Sequence, residues 1–67
     1  MNWHYGNPIV NGEYLCCIKG YPSPISFDWY DGKWGNWDWI DDKLNPIDQS
    51  LVVCYIGFDE IPMPENW

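Results

Sequence analysis

The chain is predicted to be mainly β: a small antiparallel meander of about four twisted strands around an aromatic core, with at most one short helical turn. Three observations carry this expectation. The six prolines stand between or after the apolar runs, where a residue that cannot donate to a sheet ladder acts as punctuation. The four runs they leave are rich in β-branched and aromatic residues, and none shows a helical period. Finally, Asp31-Gly32 separates two of these runs by two residues, the strongest short hairpin signal a sequence offers.

In chain order, Asn11-Gly12 is a turn ahead of the first strand, Glu13–Lys19. Residues Lys19 to Pro24 make a loop stiffened by Pro22 and Pro24, and the second strand follows at Ile25–Tyr30. The third, Lys33–Ile40, pairs with it across the Asp31-Gly32 turn. That turn fixes a register: Tyr30 faces Lys33, Trp29 faces Trp34 and Phe27 faces Asn36, so Ile25, Phe27, Trp29 and Trp34 share one face. The stretch Asp41 to Ser50 is an acidic, polar connection. Within it, Asn45 can cap one short helical turn with Pro46 at its first position. The fourth strand is Leu51–Ile56. Residues 61–67, with Pro62 and Pro64, suit an extended, polyproline-like tail. Short connections favour antiparallel neighbours.

Sixty-seven residues are expected to form a single domain, near the lower limit for a hydrophobic core. Six Trp and five Tyr compensate, since each buried aromatic hides roughly 150–250 Å². The placement of two of those tryptophans is the main open point. Under strict alternation Trp37 and Trp39 join Tyr30 on the face opposite Trp29, as an exposed aromatic row. A bulge at Gly35-Asn36 would return both to the core and point Asp38 outward, avoiding a buried unpaired charge. The bulge is the preferred expectation, because glycine readily takes the conformation it needs.

Ten acids against three lysines and no arginine give a net charge of −7. Affinity for nucleic acid comes from neutralising phosphates with Lys and Arg, so nucleic acid and anionic membranes are not expected partners. A basic protein surface is, and the alternative is that the charge serves solubility alone. Three cysteines, two of them adjacent, are not a disulfide framework. Met1-Asn2-Trp3-His4 leads straight into structure-like sequence without a signal-like segment, and no apolar run reaches membrane length. A reducing cytoplasm is the expected compartment.

No catalytic chemistry is expected. Ser23, Ser26 and Ser50 lack partners, and His4 is the one histidine and lies near a terminus. Cys16 and Cys17 point to opposite faces, so one of them is a small apolar core residue. His4, Cys16, Cys17 and Cys54 lack zinc-ligand spacing, and Asp38, Asp41, Asp42 and Asp48 lack the alternation of a calcium loop. No cofactor is expected.

The order of landmarks resembles a family of small phage and prophage proteins of unknown function. Trp3, Pro8, Gly12-Glu13-Tyr14-Leu15, Trp29-Tyr30-Asp31-Gly32-Lys33-Trp34 and Ile61-Pro62-Met63-Pro64 follow its pattern, W…P…G-x-Y-L-V…W-Y-x-x-G-x-W…W-x-P-L-P. The chain departs from it at Glu60, where the family has a late Trp, and in the Trp37/Trp39 pair with its acidic loop. The resemblance implies an accessory protein of a mobile element, acting in the host cytoplasm. By analogy with short acidic phage proteins, it implies one that blocks a host defence enzyme in the anti-CRISPR manner.

The leading functional expectation is therefore an acidic protein-binding inhibitor. Asp38, Asp41, Asp42 and Asp48 would meet a basic cleft, with Trp37, Trp39 and Trp67 as anchors. The alternatives are a small-ligand binder that stacks a sugar or signalling nucleotide on exposed Trp, and a self-associating, edge-paired homodimer.

Overall fold

A computed structural model describes residues 2–62. Five strands form one antiparallel sheet: β1 (Gly12–Ile18), β2 (Ile25–Tyr30), β3 (Lys33–Asp38), β4 (Lys43–Pro46) and β5 (Val52–Gly57), in the order β4-β3-β2-β1-β5. Two single 3-10 turns, Gln49–Leu51 and Phe58–Glu60, are the helical elements among the described residues. The mainly β, aromatic-cored class expected from the sequence is the class observed. No helix of the described residues is long and apolar enough to cross a membrane.

The strand count differs from expectation, because the acidic connection contains β4. Asn and Pro disfavour strands in general, but β4 is a four-residue edge strand, where proline is tolerated. It follows that the helical turn expected at Asn45 does not form there: Asn45 and Pro46 belong to β4. The turn starts three residues later, capped by Asp48, whose Oδ1 accepts the Ser50 N–H at 3.0 Å. The last strand also departs from a simple meander. Instead of following its predecessor at the sheet edge, β5 crosses back and pairs with β1, in the manner of a Greek-key return.

The Asp31-Gly32 turn forms as expected. Both residues have positive φ, 49° and 83°, as the type I′ hairpin demands. Tyr30 pairs with Lys33 and Trp29 with Trp34, but the β2–β3 ladder stops at Asp28 opposite Gly35, so the expected Phe27–Asn36 pair is absent. The Trp37 N–H instead donates to the Asp28 carboxylate at 2.9 Å.

The preferred bulge at Gly35-Asn36 is not present. Gly35, Asn36, Trp37 and Asp38 pair one for one with Pro46, Asn45, Leu44 and Lys43, so alternation runs unbroken. Glycine is needed at position 35 for a steric reason. A Cβ there would lie within 2.9 Å of the Asn45 carbonyl carbon and the Pro46 Cα, and closer still to the Asn45 oxygen. The electrostatic argument for a bulge also lapses, since Asp38 Oδ1 accepts the N–H groups of Ile40 (2.9 Å) and Asp41 (3.2 Å) and is not an unpaired charge. Strand β3 ends at Asp38, and Trp39 and Ile40 lie in the turn that follows.

The core gathers Cys16, Ile18, Trp29, Trp34 and Tyr55, with Tyr14, Ile25, Phe27, Ile47, Leu51 and Val52 packed around them. At its centre is Trp34, 2 % exposed, whose ring meets Trp29 at 5.0 Å, Tyr55 at 5.6 Å and Tyr14 at 5.8 Å. The Trp34 backbone is held by the Gln49 side chain together with the Ile47 N–H, which donates to the Trp34 carbonyl at 3.1 Å. Gln49 Oε1 accepts the Trp34 N–H (2.6 Å) and Gln49 Nε2 donates to the same carbonyl (2.8 Å), standing in for a strand partner beyond the end of β4. Tyr55 is also bridged on its other side by His4, through two backbone hydrogen bonds of 2.8 and 2.9 Å.

Two substitutions test this account. Gly35→Ala is expected to lower the unfolding free energy by about 1–3 kcal/mol through overpacking against β4. Gln49→Ala, which removes the acceptor of the buried Trp34 N–H while its carbonyl keeps the Ile47 N–H at 3.1 Å, is expected to cost about 1–3 kcal/mol. Urea denaturation followed by Trp fluorescence measures both. Wild-type midpoints for either variant would contradict the packing described.

Candidate functional site

Because β3 alternates without interruption, Trp37 lies on the same face as Tyr30, opposite the Trp29–Trp34 core. The Tyr30 and Trp37 rings are 4.9 Å apart at 60°, and Trp37 and Trp39 are 6.0 Å apart at 66°. Exposure differs within this row: the middle ring, Trp37, is half-buried, while Tyr30 is 42 % exposed and Trp39 is 85 % exposed. The exposed aromatic row, the alternative to the bulge, is therefore what the fold presents.

The row forms one side of an open groove of about 460 Å³, with Glu13 and Asp28 also in its lining and Asn11-Gly12 at one end. Glu13 and Asp28 are direct cross-strand partners on β1 and β2, so two carboxylates stand side by side. Asn11 closes that end by accepting the Asp31 N–H on its Oδ1 at 3.1 Å, which ties the β2–β3 turn to the start of β1. Among the described residues no lysine lines the groove. The Trp37 indole Nε1 is buried and has no hydrogen-bond partner among the described residues.

Of the residues expected to bind a partner, the fold brings Trp37 and Trp39 together. Asp38 adjoins them but is occupied as a turn cap, and the N–H groups of Asp41 and then Ile40 hold its carboxyl below the usual range. Asp41 and Asp42 are exposed in the β3–β4 turn beside Trp39, where Asp42 has a positive φ of 53°. Asp48 lies beyond the opposite end of β4, so it does not join this group. Its carboxyl is lowered by the Ser50 hydroxyl, which donates at 2.7 Å, and by the Ser50 N–H. Trp67 lies outside the described residues, as does the tail from residue 63 onward. Glu13 is the contributor that the sequence did not single out. Its position opposite Asp28 depends on a β1–β2 register that the loop between those strands does not fix.

The other chemically notable groups are committed elsewhere. His4 Nε2 lies 2.6 Å from Glu60 Oε1, and Glu60 Oε2 accepts the Gly57 N–H at 2.8 Å. These contacts, the His4 contact first, hold the Glu60 carboxyl low. Cys16 is fully buried on the core face and its thiol is pushed up to about 12, chiefly by burial. Cys17 is half-buried on the opposite face and faces Cys54 across β1 and β5. Among the described residues, no three His, Cys, Asp or Glu side chains are placed to hold a metal ion.

Comparison with protein-family models, with curated proteins and with solved structures returns no match. The functional reading consequently rests on the geometry of the groove.

The lowered carboxyls of Asp38, Asp48 and Glu60 set a pH dependence. Each group is more acidic folded than unfolded. Its stabilisation is complete above the ordinary carboxylate range of about 4 and is lost as pH falls through the lower folded values. Urea midpoints are expected to be level near neutrality and to fall on acidification. Glu60→Gln should flatten part of that fall. A variant with an unchanged acid profile would show that the His4–Glu60 contact does not contribute.

Proposed function

We propose that the chain is a non-enzymatic, acidic protein-binding module. In this reading it is an accessory protein of a phage or other mobile element that binds and inhibits a basic host protein in the cytoplasm. A nucleic-acid-handling defence enzyme is the kind of target intended. One observation carries the proposal: an exposed aromatic row lies beside two adjacent carboxylates in a groove to which the described residues bring no cation. Interfaces concentrate their energy in Trp and Tyr, while surrounding acids steer a basic partner and suppress wrong ones. The family resemblance supplies the biological context.

The alternative uses of the surface have less support. A sugar face stacks on flat, coplanar rings, whereas these rings stand at 60° and 66° to one another. A nucleotide would meet carboxylates where it needs cations. Edge pairing into a dimer is disfavoured because β4 is short and ends in proline, and because His4 already bridges the outer side of β5 at Tyr55.

Immobilised protein is expected to retain a basic protein from a host lysate. The complex should release as salt rises from about 0.1 M to about 1 M, which shortens the screening length from about 10 Å to about 3 Å. Trp39→Ala removes a side chain that is almost wholly in solvent and should leave stability unchanged. It should weaken retention about thirtyfold, as loss of an interface anchor does. Recovery of only acidic or salt-insensitive proteins, or equal retention by the Trp39→Ala chain, would refute the proposal.

A further inference from the structure

We infer that the groove is a cation-recognition pocket that receives one arginine side chain from an extended segment of a protein partner. This deepens the protein-binding reading above by naming the group that the site takes.

The free protein carries an uncompensated like-charge contact. Glu13 and Asp28 are paired directly across β1 and β2, and like charges in that relation destabilise a sheet. Among the described residues nothing in the groove offsets them, since none of those in its lining is basic. Lys33 is the nearest lysine in register, paired with Tyr30 at the turn, yet it makes no ion pair with either carboxylate among the described residues. Asp28 is partly satisfied through Oδ2, which accepts the Trp37 N–H, whereas Glu13 has no hydrogen-bond partner among the described residues.

The rings beside this pair define the complementary group. Tyr30, Trp37 and Trp39 are tilted in succession, so they form angled walls and not one flat platform. Aromatic faces at angles to each other are the arrangement that holds a cation through the ring quadrupoles. Carboxylates beside them supply acceptors for N–H donors.

A guanidinium meets both demands better than an ammonium. It is planar and stacks on an indole, it is weakly hydrated, and its fork of donors can address two carboxylates. The groove is open, so the pocket suits a side chain projecting from a peptide and does not need to enclose a whole ligand.

The test uses the full chain, labelled with ¹⁵N, and a blocked tripeptide with a central arginine. Matched peptides carry citrulline, which keeps the shape without the charge, or lysine. Saturable shifts of the Trp37 and Trp39 indole signals are expected with the arginine peptide, weaker ones with lysine and none with citrulline. Glu13 makes no structural hydrogen bond among the described residues, so Glu13→Gln should fold normally and bind the arginine peptide about five- to tenfold more weakly. Equal shifts with citrulline, unchanged affinity in Glu13→Gln, or no response at the two indoles would each overturn the inference.

The lysate experiment separates this inference from the function it rests on. If Glu13→Gln retains the basic host protein as well as wild type does, the arginine pocket is wrong and the protein-binding reading stands. If the arginine peptide binds as described but no basic protein is recovered, the pocket stands and the reading of its partner fails.

Discussion

The architecture depends on the environment of Trp34. Its ring touches an aromatic ring from β2, β1 and β5, and the glycine that follows it lets β4 lie against the backbone. Its N–H goes to the Gln49 side chain, and its carbonyl accepts from both Gln49 Nε2 and the Ile47 N–H. One residue thus coordinates all five strands, through ring packing on one side and backbone satisfaction on the other. In a domain of 67 residues, total stability is only about 0.05–0.15 kcal/mol per residue. Emptying a site of this size costs about 3–5 kcal/mol, a large part of that total.

Features set by local rules were legible before the fold was known. Asp31-Gly32 announced its turn, the turn placed Trp29 opposite Trp34, and proline spacing separated the main strands. Features set by tertiary contact were not. Gly35 resembles a bulge former because glycine tolerates unusual backbone angles, but here its small size is what counts, and that is visible only when β4 lies against it. Strand β4 has unfavourable local composition and exists because β3 offers it an edge. The Glu13–Asp28 pair likewise depends on which residues meet across a loop of loosely defined length. The aromatic row was foreseen as one of two outcomes, and the choice between them turned on that single glycine.

Among the described residues the acids differ in what they hold, and Asp28 does both, accepting the Trp37 N–H and lining the groove. Asp38, Asp48 and Glu60 accept hydrogen bonds that close turns or join the N-terminal segment to the end of β5, so their charges have internal work. Glu13 carries no comparable burden among the described residues and lines the groove, and Asp42 is exposed in the turn that follows Trp39. Net charge alone cannot make this distinction; the hydrogen-bond partners of each carboxylate can. The difference narrows the recognition surface to one end of the sheet face.

The return of β5 to β1 also shapes how the protein is made. Hairpins β1–β2, β2–β3 and β3–β4 involve neighbouring segments and can close as they emerge during synthesis, because short loops cost little entropy. The interior position of β1 is different: one of its two hydrogen-bonding edges stays bare until β5 is available to pair with it. Tyr55 reaches the Trp34 ring at the same late stage. The meander can begin to form on the ribosome, but the core is completed only when the last strand joins the first. Folding is therefore governed by that long-range closure, with the slower kinetics that non-local pairing entails.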